Sequence, residues 1–230
     1  MERKMCKRCN DSGLIKVKDN EYVDGFHYEV CGCSLSLETI GIPELFRDAT
    51  FDDFVDRELV NWFEKNYIKN FQLDKSKGIY LYGSPGTGKT YLSVCLVKEL
   101  SKVGIRCLFI PMIDFIDKVR NESFKLDEEN VGYEIKTRNI EFLVLDDFGS
   151  EKLTEWVEKL IHSIVDYRYR RNLPTIFTSN YSLEEMLSRF HSIVVGERII
   201  SRIRQVCYVV DVGKENFRWE MSKRGFKNGK

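Results

Sequence analysis

The chain has 230 residues, and its 36 lysines and arginines balance 36 aspartates and glutamates, so the formal net charge is zero. Net charge therefore gives no argument for nucleic-acid binding, and no apolar run approaches the roughly 20 residues that a membrane helix needs. The N-terminus, MERKMCKRCN, lacks the apolar core of a signal peptide, so we expect a cytoplasmic protein with one sizeable core.

The first predicted unit is a cysteine-bearing segment, residues 1–40. The pairs Cys6/Cys9 and Cys31/Cys33 flank a stretch that predicts two short strands around a turn at Asp24-Gly25. Four thiolates suffice for a tetrahedral structural Zn²⁺ site, and the two strands would bring the cysteine pairs together. So small a segment has too little core to fold alone, and zinc would stabilise it.

Alternatives to this zinc site remain open. His27 is a substitute ligand, and the Cys-x-Cys spacing is tighter than usual, so the four cysteines could instead be free thiols. The other three, Cys95, Cys107 and Cys207, stand in apolar surroundings and are expected to be buried as small hydrophobic side chains.

Residues 41–230 form the second predicted unit. After a connector with spaced aromatic residues, apolar spacing predicts a linker helix over residues 56–73. Predicted strands at residues 78–83, 106–111, 141–149, 173–180 and 206–212 then alternate with predicted helices at residues 88–104, 112–124, 154–171, 182–190 and 196–205. This alternation indicates an α/β fold with a parallel sheet covered on both faces.

A glycine-rich loop, GSPGTGKT, follows the first of these strands and opens the next helix. Its glycines let backbone N–H groups surround phosphate oxygens, and the helix N-terminus adds a positive dipole end. Lys89 would reach the β- and γ-phosphates of a nucleotide, and Thr90 would hold Mg²⁺. The alternative is a glycine-rich turn that precedes a lysine by chance. The candidate nucleotide-binding residues are Gly83, Ser84, Pro85, Gly86, Thr87, Gly88, Lys89, Thr90 and Tyr91.

Two later strands end in polar residues. In FLVLDDFG, Asp146 suits a magnesium-associated role, and Asp147 suits the role of a base or water-orienting acid. The alternative is that both are solvated loop acids. TIFTSN places Asn180 beside these acids if its strand neighbours the loop strand, and its amide would then orient a water. Read alone, Thr178, Ser179 and Asn180 equally suit a helix N-cap.

The late helix GERIISRIRQ carries Arg198 and Arg202 one turn apart, with Arg204 nearby. Arginines on an exposed helix are usually solvated. The alternative is an arginine finger that reaches the nucleotide of a neighbouring subunit. Farther along, Arg218 could touch the nucleotide of its own chain.

Together, GSPGTGKTYL, FLVLDDFG, TIFTSN and GERIISRIR after SLEEML resemble AAA+ ATPases. More narrowly they resemble the DnaC-like loaders of bacterial and phage replicative helicases, which are related to IstB-like transposition helper ATPases. The resemblance extends over most of the chain from about Ile42. It implies a five-stranded parallel sheet, ATP-dependent self-association and partners that are single-stranded DNA and a replicative helicase. It assigns the arginine finger to Arg202 and a second sensor to Arg218.

The resemblance also suggests where partners bind. Family members bind single-stranded DNA through helices after the second strand, which here carry Lys118, Arg120, Phe124 and Lys125. An ordinary amphipathic helix with Phe124 packed inside explains these residues equally well. In loaders the N-terminal segment grips the helicase, so residues 1–40 are the candidate docking module.

The acidic strand departs from the Asp-Glu of many AAA+ proteins, because the second acid here is Asp147. Its carboxylate is set back by one methylene, and water positioning depends on ångström-scale geometry. We therefore expect slow hydrolysis of ATP to ADP, with nucleotide acting mainly as a switch. The remaining alternatives are a transposition helper ATPase and a nucleotide-switched adaptor without significant ATPase activity; the cysteine segment favours the loader.

Overall fold

The computed structural model describes residues 7–8, 14–18, 26–30, 40–122, 133–213, 215 and 217. Within these ranges, none of the helices combines the length and the apolarity that crossing a bilayer requires.

A two-stranded hairpin forms in the N-terminal unit. Strands β1 (Leu14–Lys18) and β2 (Phe26–Val30) pair antiparallel, with Leu14 opposite Val30 and Lys18 opposite Phe26. The predicted pair of strands is therefore confirmed. The structure does not describe the turn at Asp24-Gly25 or the side chain of the alternative ligand His27. The four cysteines also lie outside the described residues: Cys6, Cys9, Cys31 and Cys33. The zinc site stays a prediction.

The main unit is built on a five-stranded parallel sheet, as predicted. Its strands are β3 (Gly78–Tyr82), β4 (Cys107–Pro111), β5 (Phe142–Asp146), β6 (Thr175–Ser179) and β7 (Cys207–Asp211), in the spatial order β4-β5-β6-β3-β7. Strand β6 thus lies between β3 and β5. The carboxyl ends of these three strands meet at one edge, where parallel sheets place their binding sites.

The helices follow the predicted order with shifted bounds. They are α1 (Arg57–Trp62), which continues as a π-helix over Phe63–Ile68, α2 (Lys89–Lys102), α3 (Met112–Glu122), α4 (Tyr133–Asn139), α5 (Glu155–Arg170), α6 (Leu183–Leu187) and α7 (Ile193–Val206). Helix α7 begins earlier than predicted because the side chain of Ser192 accepts a hydrogen bond from the Val195 N–H. Helix α4 was not predicted, since its seven residues, YEIKTRN, are too few and too polar to show an apolar repeat.

Both faces of the sheet are buried over β3, β4, β5 and β6, because side chains along these strands alternate between two apolar clusters, whereas the edge strand β7 exposes Tyr208 and Val209. On β3, Ile79 and Leu81 join a cluster with α1, the π-helix, α2 and residues 40–54. Tyr80 points into the opposite cluster, which contains α3, α5, α6 and α7. The three isolated cysteines Cys95, Cys107 and Cys207 are buried in these clusters, as expected.

A buried arginine ties the loops at the amino ends of β5 and β6. The Arg168 side chain is 2% exposed and donates hydrogen bonds to the Ile140 carbonyl at 2.7 Å, the Pro174 carbonyl at 2.8 Å and the Thr175 hydroxyl at 2.7 Å. Desolvation lowers its pKa to about 9, so the guanidinium is still charged at neutral pH. The surrounding carbonyl dipoles offset part of the cost of burying that charge.

Replacing this side chain with an apolar one tests its structural role. Arg168→Leu should lower the free energy of unfolding by about 3 kcal/mol, because several buried acceptors lose their donor at once. The control Arg171→Leu changes an exposed arginine three residues away and should change stability by about 0.5 kcal/mol or less. Equal urea midpoints for the two variants would contradict this role.

Candidate functional site

A cleft of about 520 Å³ lies at the carboxyl edge of the sheet. That volume suits a small organic ligand that is largely enclosed. Its lining joins five parts of the sequence: the glycine-rich loop, the end of β5, the end of β6, the connector before α1, and Phe217 after β7. The residues that line it are Pro43, Leu45, Phe46, Asp53, Phe54, Val55, Pro85, Gly86, Gly88, Lys89, Thr90, Tyr91, Asp146, Asp147, Thr178, Asn180 and Phe217.

The glycine-rich loop adopts a backbone that only glycine tolerates easily. Gly86 and Gly88 have φ values of 88° and 90°, and a Cβ at Gly88 would stand 2.7 Å from the Phe54 ring. Gly88 is also the N-cap of α2 and offers no side-chain acceptor to the first-turn N–H groups. The N–H groups at this helix N-terminus and the helix dipole form a ready site for an anion such as phosphate.

Lys89 is held inside this loop. Its side chain is 7% exposed, and Nζ donates to the carbonyls of Gly83 at 2.8 Å and Ser84 at 2.9 Å. The buried Thr87 hydroxyl donates to the same Ser84 carbonyl at 3.0 Å and so braces the loop. Charged phosphate oxygens are stronger acceptors for an ammonium group than neutral carbonyls are, so the lysine is suited to bind phosphate.

Two hydroxyls converge on the buried carboxylate of Asp146. Thr90 Oγ1 donates to Asp146 Oδ1 at 3.0 Å, and Thr178 Oγ1 donates to the same oxygen at 2.6 Å. Burial raises the pKa of Asp146, while these two hydrogen bonds act in the opposite direction. A hydroxyl and a carboxylate are the oxygen donors that Mg²⁺ prefers, and a cation would relieve the desolvation of the acid. The donor set therefore fits magnesium.

The second acid is held by the neighbouring strand. Asp147 has a left-handed φ of 59°, a conformation that costs a non-glycine residue on the order of 1 kcal/mol. Its N–H donates to Thr178 Oγ1 at 2.8 Å, and Asn180 Nδ2 donates to Asp147 Oδ1 at 3.3 Å. The strained turn is thus fixed on β6, with the carboxylate of Asp147 exposed toward the cleft beside the amide of Asn180.

The structure decides between the two interpretations of TIFTSN. The N-cap of α6 is Ser182, whose hydroxyl accepts from the Glu185 N–H while the Glu185 carboxylate accepts from the Ser182 N–H. The helix-cap interpretation of Thr178, Ser179 and Asn180 is therefore wrong, because a separate capping box serves that helix. Asn180 lies beside the acids, because β6 pairs with β5 on one side and with β3 on the other.

An aromatic wall of Tyr91, Phe46 and Phe54 completes one side of the cleft, and of these rings sequence reasoning predicted only Tyr91. Tyr91 packs edge-on to Phe46 and stacks on Phe54, with ring centroids 6.2 Å and 6.1 Å apart. Its hydroxyl accepts from the Thr50 N–H at 3.0 Å and donates to the Thr50 carbonyl at 3.1 Å. The spaced aromatics of the connector were the available signal, but their burial depends on the fold.

The chain after β7 also contacts the glycine-rich loop. The Ser84 N–H donates to the Gly213 carbonyl at 3.2 Å, and the Phe217 N–H donates to the Gly86 carbonyl at 3.0 Å. Phe217 lines the cleft and was not predicted. The predicted sensor Arg218 follows it directly and lies outside the described residues.

The remaining predicted residues lie away from this cleft. Arg202, on α7, forms an ion pair with Asp166 on α5 at 2.9 Å and is absent from the cleft lining. On α3, Lys118 Nζ lies 4.6 Å from the centroid of the Tyr133 ring, and Arg120 lies 5.4 Å from that of Trp156. Phe124 and Lys125 lie outside the described ranges.

Comparison with known proteins identifies what this architecture is similar to. The family model described as "IstB-like ATP binding protein" matches residues 63–225. The replicative helicase loader DnaI of Bacillus subtilis (strain 168) is 29% identical over 162 residues, a region that is 66% of this chain and 51% of that protein. The replicative helicase loader DnaC of Escherichia coli (strain K12) is 29% identical over 172 residues, which is 71% of this chain and 66% of DnaC.

A solved structure shows the same fold. The crystal structure of the DnaC helicase loader aligns with a TM-score of 0.65 and 29% sequence identity, covering 74% of this chain and 99% of that one. The chain spans about half the length of the DnaI relative.

Thr178 offers a direct test of the site, because one hydroxyl serves both acids. Thr178→Val keeps the shape but removes the donor to Asp146 and the acceptor for the Asp147 N–H, so affinity for magnesium nucleotide should fall about tenfold. The loss also raises the pKa of Asp146 further. Since the cation needs the ionised acid, binding should fail at a higher pH than in the wild type as the pH is lowered.

Thr178→Ser is the matched control, since it keeps the hydroxyl and should bind within about twofold of the wild type. Titration calorimetry at several pH values measures both effects. A valine variant that binds as well as the serine variant at every pH would rule out the bridging role of this hydroxyl.

Proposed function

The chain belongs to the family of IstB-like ATP-binding proteins, and from this premise we propose that it is an ATP-controlled loader that delivers a replicative ring helicase to single-stranded DNA in the cytoplasm. The observation that carries the proposal is the joint placement of Lys89, Thr90 and Asp146 in one cleft at the end of the sheet. The loader role draws on the relatives DnaI and DnaC, which are named as replicative helicase loaders.

The cleft supports ATP with Mg²⁺ as its ligand. The first-turn N–H groups of α2 and the Lys89 ammonium would hold the phosphates, and Thr90 and Asp146 would hold the metal. When bound, Mg²⁺ neutralises phosphate charge and fixes the phosphate orientation. The aromatic wall of Phe46, Phe54 and Tyr91 would enclose the flat base of the nucleotide.

We propose slow hydrolysis at this site. At the cleft, Asn180 Nδ2 lies 3.3 Å from Asp147 Oδ1. The two side chains suit a water-orienting pair, with Asp147 as the proton acceptor. The Asp147 side chain is one methylene shorter than a glutamate, which argues for low turnover. Nucleotide occupancy, more than turnover, would then control what the protein holds.

The nucleotide site would be completed by self-association. Arg202 pairs with Asp166 and does not line the cleft of its own chain, so we assign its nucleotide contact to a second copy. Such a head-to-tail contact between different faces can repeat and build a ring or filament. Arg202 would stabilise the phosphate charge of the neighbouring subunit as an arginine finger. Arg218 would act as the second sensor from within the same chain.

Single-stranded DNA would bind at the surface formed by α3 and the residues after it. Lys118 and Arg120 lie beside the aromatic rings of Tyr133 and Trp156. Cations next to the exposed ring of Trp156 and the half-buried ring of Tyr133 suit a phosphate backbone with stacked bases. Phe124 and Lys125, the next predicted contacts, continue this segment in the sequence.

The N-terminal unit, residues 1–40, would hold Zn²⁺ and dock on the helicase, while residues 41–230 form the ATPase unit. The β1–β2 register sets Leu14 opposite Val30, so the segments that carry the two cysteine pairs join the same end of the hairpin. This connectivity supports a single four-thiolate site made of Cys6, Cys9, Cys31 and Cys33.

A second candidate function is a transposition helper ATPase, which the IstB-like description of the family favours. It predicts binding to duplex DNA and recruitment of a recombinase, with no retention of a helicase.

The loader proposal is tested with the full-length chain, a replicative helicase and circular single-stranded DNA. ATP should increase the helicase retained on the circle at least tenfold, and Arg202→Ala should remove most of this increase by preventing self-association. Arg204→Ala, a change on the same helix at an arginine paired with Glu184, is the control and should retain loading. Equal retention of helicase with and without ATP and loader would reject the proposal. Retention of duplex DNA alone would favour the transposition helper.

Zinc binding is tested separately by metal analysis of the purified chain. We expect about one zinc per chain, and the double variant Cys6→Ser/Cys9→Ser should lose both the metal and helicase capture while it keeps ATP binding. Cys95→Ala is the control, because burial raises the pKa of Cys95 to about 12 and keeps it a neutral thiol away from the predicted site. Unchanged zinc content in the double variant would disprove the ligand assignment.

A further inference from the structure

The proposed arginine finger is tied to its own subunit by a three-membered charge cluster. Asp166 on α5 accepts from Arg202 Nη2 through Oδ1 at 2.9 Å and from Arg170 Nε through Oδ2 at 2.9 Å. Arg202 Nη1 also donates to the Arg198 carbonyl at 3.1 Å, and its guanidinium lies 5.6 Å from the centroid of the Tyr169 ring. The guanidinium is therefore held along the groove between α5 and α7.

From this geometry we propose that Asp166 is a positioning residue, which restrains Arg202 against its own subunit until the nucleotide of a second copy competes for it. The inference rests on the proposed function, in which Arg202 reaches that nucleotide. It adds a regulatory step: self-association must break an ion pair within the subunit before the arginine can bind in the other.

The sharing of Asp166 makes this step easily reversible. A buried or half-buried carboxylate that loses its only cation is costly to leave unpaired. Here, Asp166 keeps Arg170 when Arg202 leaves, and the other contacts of Arg202 are to a neutral carbonyl and a neutral ring. The side chains of Asp166 and Arg202 are 21% and 26% exposed, so water reaches the pair and lowers the barrier to exchange.

A triphosphate can win this competition more easily than a diphosphate can. Guanidinium binds phosphate oxygens through charge-assisted, bidentate hydrogen bonds, and the terminal phosphate carries more charge than one carboxylate. ADP lacks the terminal phosphate that Arg202 would bind in the proposed arrangement. The restraint therefore weakens self-association by the free energy of the Asp166 contact, and the triphosphate supplies the stronger competing contact that offsets this cost.

The test compares ATP-dependent self-association of the full chain by sedimentation, together with ATPase activity measured against protein concentration. Asp166→Asn should tighten self-association about two- to fivefold, the range that one partly exposed ion pair supplies. It should shift the protein concentration at half-maximal activity by the same factor, while the plateau rate stays within about twofold. A merely structural role of Asp166 would not separate these two quantities.

Glu197→Gln is the matched control for charge. Glu197 lines the same groove of about 400 Å³, and among the described residues it forms no ion pair with Arg202. Its removal changes the charge of this face by the same amount and should change self-association less than Asp166→Asn does. Asp166→Asn should also have no effect in an Arg202→Ala background.

Each outcome bears on the proposal. The restraint would be overturned if Asp166→Asn weakened self-association or left its equilibrium constant unchanged, or if Glu197→Gln gave an equal gain. A fall of the plateau rate in Asp166→Asn by more than about twofold would also overturn it. If Arg202→Ala leaves ATP-dependent association intact, the finger role in the proposed function fails, and the restraint fails with it. Loss of association in Arg202→Ala without a gain in Asp166→Asn overturns the restraint alone. Thermal unfolding of each variant shows whether a weaker association reflects a damaged fold.

Discussion

The hydroxyl of Thr178 joins β6 to both acids at the end of β5, and the chemistry of the cleft depends on this junction. It donates to Asp146 and accepts from the Asp147 N–H, so one side chain stabilises a buried charge and a left-handed backbone turn. Thr90 reaches Asp146 from the helix on the other side. These hydrogen bonds therefore fix the glycine-rich loop and the acids relative to each other, which reduces the cost of ordering them on binding.

The sheet order explains why distant sequence motifs form one site. Strand β6 stands between β3 and β5, so the residues that follow these strands share one edge. Strand β7 pairs with the other side of β3. The chain after β7 contacts the glycine-rich loop through Gly213 and Phe217. A nucleotide in the cleft would therefore lie next to both the connector before α1 and the segment after β7. Arg202, in contrast, does not line this cleft and lies in the groove between α5 and α7.

Local sequence was informative where chemistry dictates spacing. The loop GSPGTGKT, the paired acids and Asn180 were placed correctly because glycine conformations and strand ends leave few alternatives. The aromatic wall of Phe46 and Phe54 was missed, since an irregular segment has no periodicity that shows which side chains are buried. The Asp166 contact was missed for a related reason: α5 and α7 are far apart in sequence, and only their packing brings the charges together.

The proposed function depends on the binding of magnesium ATP in this cleft through the glycine-rich loop. Titration calorimetry of the full-length protein with ATP, with and without Mg²⁺, tests it most directly when run beside a Lys89→Ala variant of unchanged thermal stability. The account predicts saturable, magnesium-enhanced binding in the wild type and a loss of at least about a hundredfold in the variant, since a buried ammonium–phosphate contact is removed. No detectable binding by the wild type, or equal binding by Lys89→Ala, would contradict it.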